Sequence, residues 1–168
     1  RIVLEKYRKG FYLHSHRKEY KEHLKQTQDL LKDVMNNYNV YVSYSGGKDS
    51  TVLTHLALQV DPNISVWHWD YGDNEVISNL KGLGAQNIFI DKRQGEDART
   101  NHTTGYQQFF KTVKENKKRY NWDLGLIGVR QEESNTRKNK YTQFIQEGNC
   151  YPLLKWTYED IWAYIVTN

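Results

Sequence analysis

Cysteine is almost missing from this chain: Cys150 is the one thiol in 168 residues. A single thiol excludes an internal disulfide framework and any all-cysteine metal site. Long apolar runs are missing as well. No stretch approaches the length of a membrane span, and the first residues are polar and basic, without a signal-peptide core. The expected compartment is the cytoplasm, and no membrane is expected as a partner. Internal repeats and low-complexity segments are also lacking. His14, His16 and His23 are spaced by two and seven, which does not line one helix face, so no metal site is read there.

What the chain has instead is aromatic rings and charge. Five Trp and thirteen Tyr bring aromatics to 14% against a modest hydrophobic content of 38%, too aromatic for a disordered chain. The length suits one domain with a real core. The formal net charge of +4 gathers in Lys6–Lys25, Lys111–Arg119 and Arg130–Lys140. A basic surface suits polyanions, nucleotides and tRNA among them. For the first two stretches, solvated helix faces are the simpler reading.

The stretch with chemistry is Val42-Ser43-Tyr44-Ser45-Gly46-Gly47-Lys48-Asp49-Ser50-Thr51. A β-prone run, Val40-Tyr41-Val42, precedes it. Residues 52, 53, 56, 57 and 60 follow at helical spacing. The reading is strand, glycine turn, helix. Gly46 and Gly47 let the backbone turn sharply and come close to a ligand. Free N–H groups at the start of the helix, with its dipole behind them, favour an anion. Ser45, Ser50 and Thr51 add hydroxyls and Lys48 a point charge. This is a phosphate cradle, but not a Walker loop, which needs four residues between its first Gly and the Gly-Lys-Ser/Thr.

Before the loop, residues 19–35 carry one apolar helical face ended by Asn36-Asn37, so residues 1–37 read as a helical arm against the first strand or a partner. After it come a turn at 61–63, a strand at 64–69 and a short helix at 76–83 stopped by glycines. Asp70 stands at the strand end, where a carboxylate meets a ribose or a metal; Asp73 or Asn74 fits a helix cap better. A third strand at 87–91 is followed by a polar loop at 92–104, read as a lid, with Arg93, Arg99 and His102. A helix at 105–120 and an apolar strand at 124–129 come next, then a segment at 149–156 leading to a helix capped by Thr157. The alternation is βαβαβαβ. It predicts an α/β fold: an open, mostly parallel sheet with helices on both faces.

Three stretches in order make the pattern specific: Ser-Gly-Gly-Lys-Asp-Ser at 45–50, Gly-Val-Arg-Gln-Glu-Glu-Ser-x-x-Arg at 128–137, and Pro-Leu-Leu-Lys-Trp-Thr-Tyr-Glu-Asp-Ile-Trp at 152–162. Together they resemble the phosphoadenosine phosphosulfate (PAPS) reductase family of the PP-loop adenine nucleotide α-hydrolase superfamily. That family's relatives include the small subunit of ATP sulfurylase, FAD synthetases and DNA-phosphorothioation proteins. The resemblance covers about residues 38–168, which it marks as the PP-loop nucleotide-binding domain, with a Rossmann-like fold. It implies that Ser43, Ser45, Gly46, Gly47, Lys48, Asp49 and Ser50 surround phosphates and that Asp70 lies near the nucleotide. It implies that Arg130 and Arg137 meet the phosphate or sulfate end, acting with Lys48 in catalysis, and that Gly128 lets the backbone pass close to the nucleotide. Trp156 and its helix read as structural.

Two departures shape the functional reading. Reductases of this family use a cysteine in a C-terminal Glu-Cys-Gly motif, which this sequence does not contain, and Cys150 lies before the last helix. Lys48 in the loop is closer to the ATP-using relatives. The leading expectation is therefore ATP, with Mg²⁺, and transfer or cleavage at the α-phosphate with pyrophosphate release. A sulfonucleotide reductase acting on PAPS or adenylylsulfate is the second, its cysteine tail lost because the chain is cut short at an unfinished helix. The third is a non-catalytic nucleotide-binding subunit of a sulfur-transfer or nucleic-acid-modifying complex. The expected partners are an adenine nucleotide, a protein partner or second copy, and nucleic acid on the basic stretches.

Overall fold

Successive side chains of each strand point to opposite sides of a sheet, and here both sides are apolar. In the computed structural model, which describes residues 2–93 and 102–168, the chain begins with α1 (Ile2–His14) and α2 (Lys18–Asn37). It continues through β1 (Val40–Ser43), α3 (Lys48–Val60), β2 (Ser65–Asp70), α4 (Asn74–Gly82) and β3 (Asn87–Lys92). The second half runs α5 (His102–Tyr120), β4 (Leu124–Leu126), a 3₁₀ turn at Gln131–Glu133, α6 (Asn135–Lys140), β5 (Ile145–Gln146), β6 (Asn149–Cys150) and α7 (Tyr158–Thr167). The six strands lie in the order β3-β2-β1-β4-β6-β5, all parallel except β5, which is antiparallel to β6. This is the expected α/β fold with a mostly parallel, helix-covered sheet.

The two faces differ in chemistry. Val40, Val42, Val66, Leu124 and Leu126 point to an aliphatic core shared with Leu31 and Val34 of α2, Leu53 and Leu56 of α3, Leu80 of α4 and Ile161 of α7. Each fully buried aliphatic side chain on this face contributes about 1.5–3 kcal/mol. Tyr41, Trp67 and Trp69 point the other way, onto Trp122 and onto Phe109 and Val113 of α5. Tyr41 and Trp122 stack at 4.5 Å between centroids. The Tyr41 hydroxyl is pushed up to about 12 by burial first and by Tyr151 second, so it stays protonated.

Most elements fall where the periodicity places them, with several differences, among them α6 and the 3₁₀ turn before it, which were not expected. The fourth strand stops at Leu126 rather than 129, because Ile127 leaves the ladder with β1 while still donating to Cys150 O at 2.9 Å. The hairpin β5–β6 was not expected. Its two-residue turn has Glu147 at φ +51° and Gly148 at φ +76°, left-handed at both positions as a tight hairpin requires. The arm is two helices, broken at residues 15–17. α5 begins at His102, inside the stretch read as a loop, and Arg99 lies outside the described residues. As expected, Thr157 caps α7 and Asp73 caps α4.

The arm is fastened by one carboxylate. Asp160, on the first turn of α7, accepts from the Thr157 N–H at 2.9 Å. His14 Nε2 of α1 lies 2.7 Å from its Oδ1, and His23 Nδ1 of α2 lies 2.7 Å from its Oδ2. Burial by itself would raise this carboxyl. The Thr157 N–H and the two imidazoles outweigh it and hold Asp160 below the usual aspartate range. Nearby, Trp156 Nε1 donates to Thr27 Oγ1 at 2.8 Å, and Thr27 donates to Pro152 O at 2.8 Å. A carboxyl with a depressed folded pKa stabilises above its unfolded value, about 3.9, and loses that contribution as pH falls through the lower folded value. Asp160→Ala is therefore expected to cost about 2 kcal/mol or more at pH 7 and to flatten the acid limb of the stability curve. Urea melts from pH 2 to pH 7 check this; an acid limb parallel to that of the unaltered protein counts against the role.

Candidate functional site

The chain runs outward from β1 to β2 and β3, then crosses back to place β4 on the other side of β1. That reversal opens a crevice at the carboxyl ends of β1 and β4, the usual ligand position in open parallel sheets. The glycine loop leaves β1 into the crevice, and Ile127-Gly128-Val129-Arg130 leaves β4 into it. A cleft of about 280 Å³ results, lined by Ser43, Ser45, Gly47, Lys48, Ser50 and Arg137, with Asp49, Gly128 and Glu133 completing its wall.

The loop is held by its own hydroxyls. Ser45 N donates to Ser50 Oγ at 3.1 Å, the two serine hydroxyls lie 3.0 Å apart, and Thr51 Oγ1 donates to Gly47 O at 2.8 Å. His68 Nδ1 lies 2.7 Å from Tyr44 O, and Tyr44 N donates to Trp67 O at 2.8 Å, so β2 grips the entry to the loop. Gly46 has φ +86°, a conformation that disfavours any Cβ. Gly47 is different. A Cβ there would meet only Ser45 Oγ, at 3.5 Å, so its glycine leaves a space that the protein does not fill. Gly47 is also the N-cap of α3 and offers no side-chain cap. The first-turn N–H groups of Lys48, Asp49 and Ser50 have no intrahelical acceptor. An open cradle, unfilled N–H groups and the dipole fit a phosphate chain.

Charge in the cleft is interlocked. Arg130 is only 3% exposed. Its Nε donates to Asp49 Oδ2 at 2.8 Å and its Nη1 to Glu132 Oε2 at 3.0 Å. Arg137 is half-exposed and pairs with Glu133. Lys48 Nζ stands 3.5 Å from Asp49 Oδ1, too far for a hydrogen bond, and that oxygen is buried with no hydrogen-bond donor. The three basic residues expected here do gather, yet in different states. Lys48 and Arg137 face the cleft, whereas Arg130 lies behind it as the counter-ion of Asp49. Gly128 packs against protein rather than open space: a Cβ there would come within 3.1 Å of Ser50 N and 3.2 Å of Asp49 C. Asp70 lies at the end of β2 and accepts from Gly72 N at 2.7 Å.

Glu132 and Glu133 were not singled out from the sequence, although Glu133 and Arg137 sit at the i,i+4 spacing that makes helical ion pairs. Asp49 Oδ1 matters for a metal. Among the described residues no three His, Cys, Asp or Glu side chains gather as a cage. Mg²⁺ carried on nucleotide phosphates needs only one or two carboxylates, and Asp49 Oδ1 is an undonated oxygen on the cleft wall. The site fits such an ion.

A doubly wound sheet with a glycine-rich loop opening a helix at its switch point has the fold of the nucleotide-binding α/β proteins. The match is more specific than that class. Residues 39–168 match the phosphoadenosine phosphosulfate reductase domain, and the chain belongs to that family, within the PP-loop superfamily. The uncharacterized protein MJ0973 of Methanocaldococcus jannaschii is 28% identical over 79% of this chain; the chain spans 37% of that relative's length. Among solved structures, NMN synthetase from Francisella tularensis aligns with 86% of this chain and 68% of its own, at a TM-score of 0.54 and 14% identity. At that identity the likeness is one of fold.

Removing one member of a buried ion pair strands the other, at a cost of about 3–5 kcal/mol. Arg130→Ala is expected to lose stability on that scale, and Arg130→Met combined with Asp49→Leu to regain most of it. Chemical denaturation of the two variants beside the unaltered protein measures both. A single variant as stable as the unaltered protein would show the pair to be incidental.

Proposed function

We propose that the protein binds ATP in the crevice between β1 and β4 and transfers or cleaves at its α-phosphate, releasing pyrophosphate. The observation that supports this most is the uncapped start of α3, with an unfilled space at Gly47 and Lys48 beside it. The N–H groups of the loop, the Ser45 and Ser50 hydroxyls and Lys48 hold the β and γ phosphates. Ser43 lies at the mouth of β1, nearer the α-phosphate, and Asp70 at the end of β2 takes the ribose side. An acceptor oxygen forms a bond to the α-phosphorus as the bridging P–O bond to the β-phosphate breaks, and the electron pair leaves with pyrophosphate. When the acceptor is a hydroxyl, its proton passes to water. Lys48 and Arg137 meet the charge that builds on the phosphate oxygens, as preorganised cations do. Arg130 holds Asp49 in place through its 2.8 Å hydrogen bond. Asp49 is the residue that would hold Mg²⁺, which neutralises phosphate charge when bound. No side chain of this chain need become covalently attached, so positioning carries the catalysis.

The reductase reading draws no support from Cys150. It is fully buried on β6, and burial pushes its thiol up to about 12, so it is not a thiolate at neutral pH.

Calorimetric titration with Mg·ATP and with PAPS, each repeated on Lys48→Ala, tests the reading. ATP is expected to bind tightly and to weaken about tenfold or more without the Lys48 charge, with PAPS the poorer ligand. Pyrophosphate release should fall in step. Preference for PAPS, or turnover indifferent to Lys48, would overturn it.

A further inference from the structure

We infer that a groove on the aromatic face of the sheet, adjoining the phosphate cleft, binds the second substrate, and that this molecule joins a planar heteroaromatic ring to an anionic group. The inference rests on the ATP reading above. The groove has a volume of about 400 Å³, within the usual range for small-molecule sites. Ser43 and Ile127 line both spaces, so groove and cleft share a wall. With the phosphates at the start of α3 and the ribose toward Asp70, the nucleotide extends toward β2. The groove lies on the aromatic face and runs from Trp67 of β2 past Tyr41 of β1 to Asn149 of β6. A molecule seated there meets the cleft at Ser43 and Ile127.

The walls state the chemistry of the ligand. Tyr41 and Trp67 rise from the sheet, and Phe109 and Phe110 descend from α5. The rings form a continuous series: Trp67 to Phe109 at 5.2 Å, Phe109 to Phe110 at 5.4 Å, and Phe110 stacked on Tyr106 at 6.5 Å with 19° between planes. Its outer members are unusual for a soluble helix, with Tyr106 67% and Phe110 64% exposed. Exposed stacked rings beside a pocket offer faces for a flat guest. One helical turn beyond Phe110 stands Lys114, exposed on the same row, followed by Lys117, whose ammonium donates to Gly148 O at 2.8 Å. Glu147 is the acid on the groove, at its far end on the hairpin turn. Rings beside two ammonium groups match a heteroaromatic anion, the class that includes nucleoside monophosphates.

NMR titration of the ¹⁵N-labelled protein with uridine and guanosine 5′-monophosphates tests this. Adenine nucleotides are avoided as probes because they address the loop. At least one probe is expected to shift the indole N–H of Trp67 and the amides of residues 109–117. Phe110→Ala and Lys114→Glu, both at exposed positions that leave the core intact, should each weaken that probe about tenfold while Mg·ATP affinity stays unchanged. Uridine without phosphate should bind indifferently to Lys114→Glu. The idea falls if neither nucleotide moves the groove signals, or if Phe110→Ala weakens ATP equally, which would make the groove the base pocket of ATP. In Lys48→Ala the groove titration should persist. Failure of ATP to bind the loop would therefore strike the ATP reading, while a persisting groove titration still supports a heteroaromatic-anion site.

Discussion

The contact between Asp49 and Arg130 is the constraint on which the site depends. It joins the first turn of α3 to the chain leaving β4, across the one place in the sheet where two neighbouring strands send their connections in opposite directions. The approach is close enough that Gly128 has no room for a side chain against the backbone of Asp49 and Ser50. The guanidinium is buried, so its attraction to the carboxylate is little screened by water. Its other nitrogens face Glu132 at 3.0 Å and Glu133 at 4.0 Å. A crevice that could open or close by sliding one strand end past the other is pinned at one width.

That pinning gives the two faces of the sheet separate tasks. The aliphatic face, packed by α2, α3, α4 and α7, holds the loop helix rigidly and so fixes where its N–H groups aim. The aromatic face is covered in the described residues chiefly by α5, and its rings run from the packed interior out to solvent. Tyr41, Trp67 and Trp122 are core side chains in every energetic sense, yet the same series of rings ends in an open groove. Stability and recognition are drawn from one set of side chains, graded by depth.

The fold was readable because its signals are local. Apolar runs at 40–42, 64–69, 87–91 and 124–129, with helical periodicity between them, carry the parallel sheet without reference to distant residues. The glycine loop was equally plain, since Gly46 and Gly47 followed by Lys48 at the start of a helical pattern leave few alternatives. Pairing was not legible. An arginine in a polar run reads as exposed, and nothing near Arg130 says that its partner lies 81 residues earlier. The histidines at 14 and 23 have a spacing that fits no single helix face, because they sit on two helices and converge on a third. The hairpin at 145–150 escaped notice for another reason: strands of two residues are too short to show alternation, and only Glu147-Gly148 hints at the turn.

The carboxylate that fastens the arm lies 146 residues from His14 and 137 from His23. Chain is made from the amino end, at about 5–20 residues per second, so α1 and α2 emerge long before the residue that receives them. For that interval the arm lacks its carboxylate anchor, although α2 already has β1 and α3 to pack against. Closure of these contacts spans nearly the whole chain, the kind of non-local step that slows folding. The contacts of His14 and His23 with Asp160 thus form only once α7 has arrived.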